Sequence, residues 1–175
     1  MTVKQIAQNA LIAAVYTAAS LLLAPISFGA IQARVGEALT VLPILFPQYL
    51  LGLGLGCFLT NLFGVFMGIN VAGALDIVIG TLATVIAGLL SIYFRKSTIK
   101  GFPLLSFLAP VLVNAIIIGA ELYVVLFPDA GTPVLVGTML EVGIGEALSV
   151  FVLGTALWWQ FGRTLKKTGA VESAN

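Results

Sequence analysis

Residues 28–47, FGAIQARVGEALTVLPILFP, lie between apolar runs yet hold Gln32, Arg34 and Glu37 within six positions. A guanidinium and a carboxylate set against hydrocarbon are costly unless they pair or hold a ligand, so these polar residues mark a candidate site. The plainer alternative is an Arg34–Glu37 ion pair at i,i+3 that only closes the start of a helix. The same stretch also decides how many times the chain crosses the bilayer, because Pro43 and Pro47 break the long apolar run of residues 36–66 in two.

Composition sets the class. Hydrophobic residues make up 60% of the 175 and charged residues 9%, with a mean hydropathy of +1.14, which excludes an ordinary soluble core and indicates a polytopic membrane protein. The net charge of +1 conceals an uneven distribution. Lys4, then Arg95, Lys96 and Lys100, then Arg163, Lys166 and Lys167 form three basic groups, which are expected on the cytoplasmic side. Histidine is absent, which excludes a Ser-His protease or a His-ligated zinc enzyme, and Cys57 is the single cysteine. It reads as a small buried hydrophobe.

The charge map fixes the spans. Lys4 and the Arg95 group share a side only if an even number of crossings separates them. Residues 3–24 and 71–94 supply two, so residues 36–66 must supply two more: a short helix over about 35–46 and a longer one over about 48–66. A helix that short barely crosses the hydrocarbon, so it is expected to be packed among its neighbours. Residues 102–127 and 136–161 complete six spans in one domain over 1–168, with both termini and a short tail over 169–175 on the cytoplasmic side. The Lys4 segment resembles a signal peptide only loosely and is read as a mature helix. Its Ala10, Ala14 and Ala18 recur every four residues on one face, a stripe that lets another helix approach closely.

With this topology the acids gather toward the outer side. Glu37, Asp76, Glu121, Glu141 and Glu146 fall at similar depth, joined by Asn61 and by Asn114, seven residues before Glu121 and on its face. Isolated carboxylates in a bilayer are expensive, so their convergence argues for one shared, partly wet cavity. Glu141 and Glu146 are five apart, about 140° around a helix, so both need not face one ligand. Carboxylates and amides with few cations suit a donor-rich ligand: a guanine-like edge for one carboxylate, an amine for a second. Phe28, Tyr123 and Phe127 are candidates for stacking on a planar ring. There is no G-x-x-x-x-G-K-[ST] loop, no metal-ligand cluster and no nucleophile–base pair, so no cofactor, metal or enzymatic activity is expected. Concentrative transport would need a partner to supply energy.

The segments FGAIQARVGEALTVLP, GLGLGCFLTNLFG and GALDIVIGTLATVIAGLL together resemble the QueT-type, queuosine-precursor S component of energy-coupling factor (ECF) transporters. Gly36 departs from the pattern, where a serine is more usual. The resemblance implies a six-helix, S-component-like bundle in the plasma membrane of a prokaryote. It would capture a queuosine precursor, with 7-aminomethyl-7-deazaguanine as the expected ligand, through Gln32, Arg34, Glu37, Asn61, Asp76, Asn114, Glu121, Glu141 and Glu146. It also implies docking through Ala10, Ala14 and Ala18 on a transmembrane T component that carries two cytoplasmic ATPases, transport by toppling of the subunit, and no nucleic-acid partner. The alternatives are an S component for another vitamin, such as thiamin or riboflavin, and a stand-alone carrier using Glu121 or Glu146 as a proton relay.

Overall fold

The computed structural model describes residues 1–28 and 33–167, with side chains described as far as Arg163. The protein is all-α and multi-pass. Among the described residues, five helices are long and apolar enough to cross a bilayer and one further apolar helix is shorter.

Helix α1 (Val3–Leu22) opens on a reciprocal cap in which Thr2 and Gln5 bond each other's backbone. It ends ahead of Pro25 in a single further turn, Ala24–Ser27. Helix α2 (Val35–Leu45) is the short one. It is wound as a 3-10 helix over Val35–Val41 and as one α-turn over Leu42–Leu45, around Pro43. Helix α3 (Leu50–Phe66) follows a turn at Pro47–Tyr49, and α4 covers Leu75–Phe94. Helix α5 (Leu104–Leu126) accommodates Pro110 in its interior. Helix α6 is three joined stretches: α-helical Thr132–Ala147, π-helical Leu148–Gly154 and α-helical Thr155–Lys167.

Sequence patterning placed these spans to within a few residues and gave α2 as a short helix without specifying its winding. Pro43 removes one i→i−4 bond, the one the Leu39 carbonyl would accept, and Pro47 lies beyond the helix end; the tighter 3-10 winding runs ahead of both. From residue 33 to residue 47 no side chain is exposed, so α2 is the central element, with Val35, Ala38 and Leu39 lining an apolar groove between α1 and α6. Helix α6 continues further than expected, and the expected tail over 169–175 lies outside the described residues.

Small residues hold the ring of helices tightly about α2. Asn9 of α1 accepts from the Gly52 N–H of α3 at 2.6 Å, and Thr17 donates to the Gly56 carbonyl at 3.1 Å. A Cβ on Gly52 would stand 2.6 Å from the Asn9 carbonyl oxygen, so this crossing tolerates glycine alone. Helices α4 and α5 are pinned by Ser91 and Ser106, each hydroxyl donating to the other's carbonyl at 2.7 and 2.9 Å. At the end near the Arg95 group, Phe102, Phe107, Phe151 and Trp158 form an aromatic cluster over Val41 and Ile44. At the other end the apolar packing is lighter, built on Ala72, Ala83, Ile118, Leu122 and Val142, and there the polar side chains collect.

Candidate functional site

The loop after residue 32 delivers Arg34 in extended backbone, and α2 starts directly afterwards, so Glu37 points inward one turn later. The tight turn between α3 and α4, made possible by Gly68 and Gly73 at φ 68°, brings Asn70 and Asp76 to the same depth. Asn114 comes from the middle of α5, and Glu146 from α6 just ahead of its π segment.

These groups form one buried network. Arg34 Nη2 donates to Asp76 Oδ2 at 3.1 Å, and Asn70 Nδ2 donates to the same oxygen at 2.8 Å. Asn61 Nδ2 reaches the Asp76 backbone carbonyl at 2.6 Å. On the opposite side of Arg34, Tyr16 of α1 and Thr84 of α4 both donate to Glu37 Oε1, Thr84 at 2.9 Å. Cys57 lies between the two halves, its Sγ in reach of Arg34 Nη1, Asn61 Nδ2 and Thr84 Oγ1 at 3.6, 3.6 and 3.2 Å. Arg34 therefore pairs with Asp76, 42 positions away, and not with Glu37 on its own turn. The helix-closing pair is not what forms.

Several oxygens in this network remain buried with no partner: Glu37 Oε2, Asp76 Oδ1, Asn61 Oδ1 and Glu146 Oε1. Buried polar groups are ordinarily satisfied, and each exception calls for an explanation. Arg34, Glu37, Asn114, Ile118, Val142 and Glu146 line a cavity of about 20 Å³ at this point, room for about one water. A constellation of three carboxylates, three amides and one guanidinium carries excess negative charge and spare acceptors. It can therefore receive a small cation rich in N–H donors.

Not every expected residue takes part. Glu121 is buried, both its oxygens lacking partners, but it faces a separate apolar groove between α4 and α5 together with Leu75, Ile79, Ile117 and Val124. Glu141 is exposed on α6, turned away from Glu146 as their five-residue spacing requires. Gln32 lies outside the described residues. Of the aromatic candidates, Phe28 is buried beneath Arg34, whose guanidinium carbon is 5.4 Å from its ring centroid. Tyr123 instead donates to the Ala130 carbonyl, and Phe127 is exposed. Ala10, Ala14 and Ala18 all lie on the exposed face of α1.

Sequence reasoning passed over Tyr16, Thr84, Asn70 and the polar setting of Cys57. A signal existed for Tyr16: a phenol in mid-span of an otherwise small-residue helix needs a hydrogen-bond partner wherever it is buried. For Thr84 and Asn70 nothing in local spacing gave notice, since their partners come from other helices.

A sequence model of the family described as QueT transporter matches residues 6–163. No curated protein and no solved structure matches the chain.

Proposed function

The chain belongs to the QueT transporter family, and from that premise we propose that it is the substrate-capturing S component of an ECF-type importer. Its ligand is a queuosine precursor, 7-aminomethyl-7-deazaguanine. The observation that carries this reading is the convergence of Glu37, Asp76 and Glu146 around Arg34 and Asn114, each carboxylate with one buried oxygen lacking a partner. Their spare acceptors suit the N–H edge of a deazaguanine ring at one carboxylate and its aminomethyl ammonium at another. Arg34, Glu37, Asn114 and Glu146 form the near wall, with Asp76 and Asn61 behind. Glu121 faces the separate groove between α4 and α5 and Glu141 is exposed, so neither has a part at this cavity.

The three basic groups belong on the cytoplasmic face together with both termini, so the carboxylates open to the outside. Energy comes from a transmembrane T component and two ATPases, and the exposed Ala10–Ala14–Ala18 stripe is the docking face for the T component. Titration calorimetry of the purified protein with 7-aminomethyl-7-deazaguanine tests the ligand. Saturable binding that thiamin and riboflavin do not displace is expected, and no affinity for any deazaguanine removes the substrate.

The docking face has its own test. Ala14→Leu is expected to leave ligand affinity unchanged and to abolish uptake in cells that express the partners. Loss of both activities, or of neither, would contradict it. The buried and unpartnered Glu121 is the observation that favours a proton-coupled carrier instead. Uptake that persists without ATPases and collapses with an uncoupler would select that reading.

A further inference from the structure

A cavity of about 20 Å³ admits a bicyclic ring only after a lining side chain has left. Glu37 is fixed on α2, Asn114 and Ile118 on α5, and Val142 and Glu146 on α6. Arg34 alone of the lining residues lies outside a helix, at φ −72° and ψ 103°, and it carries the longest side chain among them. It is the lining group whose departure would open the most room without moving a helix.

Its attachment is incomplete. A guanidinium and a carboxylate can join through two parallel hydrogen bonds, yet Arg34 gives Asp76 one, to an oxygen it shares with Asn70. Asp76 Oδ1 and Asn61 Oδ1 remain buried and unmet beside it. On its other side the guanidinium stands over the Phe28 ring.

We propose that the Arg34 side chain is an internal stand-in for the ligand. On the reading given above, its guanidinium occupies, between Phe28 and Asp76, the place that the guanidine-like edge of a 2-aminopyrimidinone ring takes when substrate enters and Arg34 swings out. The two groups share the relevant chemistry: a planar N–C–N fork with adjacent N–H donors for a carboxylate, and a flat face for an aromatic ring. The incoming ring can improve on the stand-in, since beyond the donor it gives Asp76 Oδ2 it carries a further N–H for Asn61 Oδ1, which is buried and unmet. A ring without that donor pair cannot replace the bond Arg34 gives up, so displacement becomes a filter on ligand chemistry. It also lowers the apparent affinity of every ligand by the fraction of molecules in which Arg34 is in place.

Neutral 7-deazaguanine is the probe of choice, because removing a cation gives it no added Coulomb attraction. Arg34→Ala is expected to bind it about tenfold more tightly than the unaltered protein, about 1.4 kcal/mol. Free guanidinium ion is expected to raise the melting temperature of Arg34→Ala and to compete with 7-deazaguanine there, with no effect on the unaltered protein. Tenfold weaker binding by Arg34→Ala would overturn the proposal and make Arg34 a ligand contact. Where Arg34→Ala does not fold, Arg34→Lys keeps a cation beside Asp76 without the planar fork. Tighter binding of 7-deazaguanine by that variant supports displacement, and weaker binding overturns it. If the unaltered protein binds no deazaguanine while guanidinium stabilises Arg34→Ala alone, the substrate reading fails and the socket stands. Guanidinium acting equally on both proteins removes the socket.

Discussion

Glu146→Gln is expected to weaken binding of 7-aminomethyl-7-deazaguanine by about 10- to 100-fold while raising the melting temperature of the unliganded protein. The two effects share one cause. Glu146 is buried at the cavity wall with Oε1 lacking a partner, and Glu37 faces the same small space. Two carboxylates this close, away from water, are held at a cost that only a donor-rich cation relieves. An amide of the same shape removes that cost and with it a charge-assisted hydrogen bond to the ligand, worth roughly 1.5 to 3 kcal/mol. Relief of even about 1 kcal/mol would shift the transition upward by about 2–4 °C in a chain of this size. Calorimetry and a thermal melt on the same sample measure both. Unchanged affinity would take Glu146 out of the site, and a fall in both quantities would make it a structural residue.

The largest effect on folding is expected at Gly119. A Cβ there would stand 2.5 Å from Met139 Cα and 2.9 Å from Met139 N, backbone atoms of α6 that cannot rotate aside. Thr138 also donates to the Gly119 carbonyl at 2.9 Å, so parting the helices breaks that bond as well. Gly119→Ala should cost about 1–3 kcal/mol by overpacking, read as a lower melting temperature in detergent. Gly119→Leu should yield no monodisperse protein. Gly137→Ala is the matched control, because nothing lies within 4 Å of a Cβ at that position, and its melting temperature should not change. Normal folding of Gly119→Leu would mean that α5 and α6 do not pack as described.

Much of the fold was legible in the sequence because hydropathy and basic clusters are signals along the chain. The break at Pro43 and Pro47, together with the need to return Arg95 to the side of Lys4, was enough to find α2 and to foresee its burial. The winding of α2 was not legible, since a 3-10 helix differs from an α-helix in a hydrogen-bond choice that these prolines influence without dictating. The site was half legible. Depth along each span brought Glu37, Asp76, Asn114 and Glu146 to one level, but rotation about each helix axis is set by packing. Rotation is what sends Glu121 to a separate groove and exposes Glu141. The partner of Arg34 was likewise out of reach, because Asp76 meets it only through the α3–α4 turn.

The π-helical stretch Leu148–Gly154 gives α6 a wider winding between two α-helical halves. Below it, Trp158 anchors the helix in the aromatic cluster; at its lower end a Cβ on Gly154 would stand 2.8 Å from Val41 and 3.3 Å from the Ala38 carbonyl oxygen of α2. The wider winding takes up one extra residue, so excising one here would restore ordinary α winding with the two halves nearly in register, whereas excising one from the regular α stretch between Glu146 and Trp158 would turn them against each other by about 100°. In that second case Glu146 would look elsewhere with no side chain altered. Spacing, as much as residue type, aims that carboxylate.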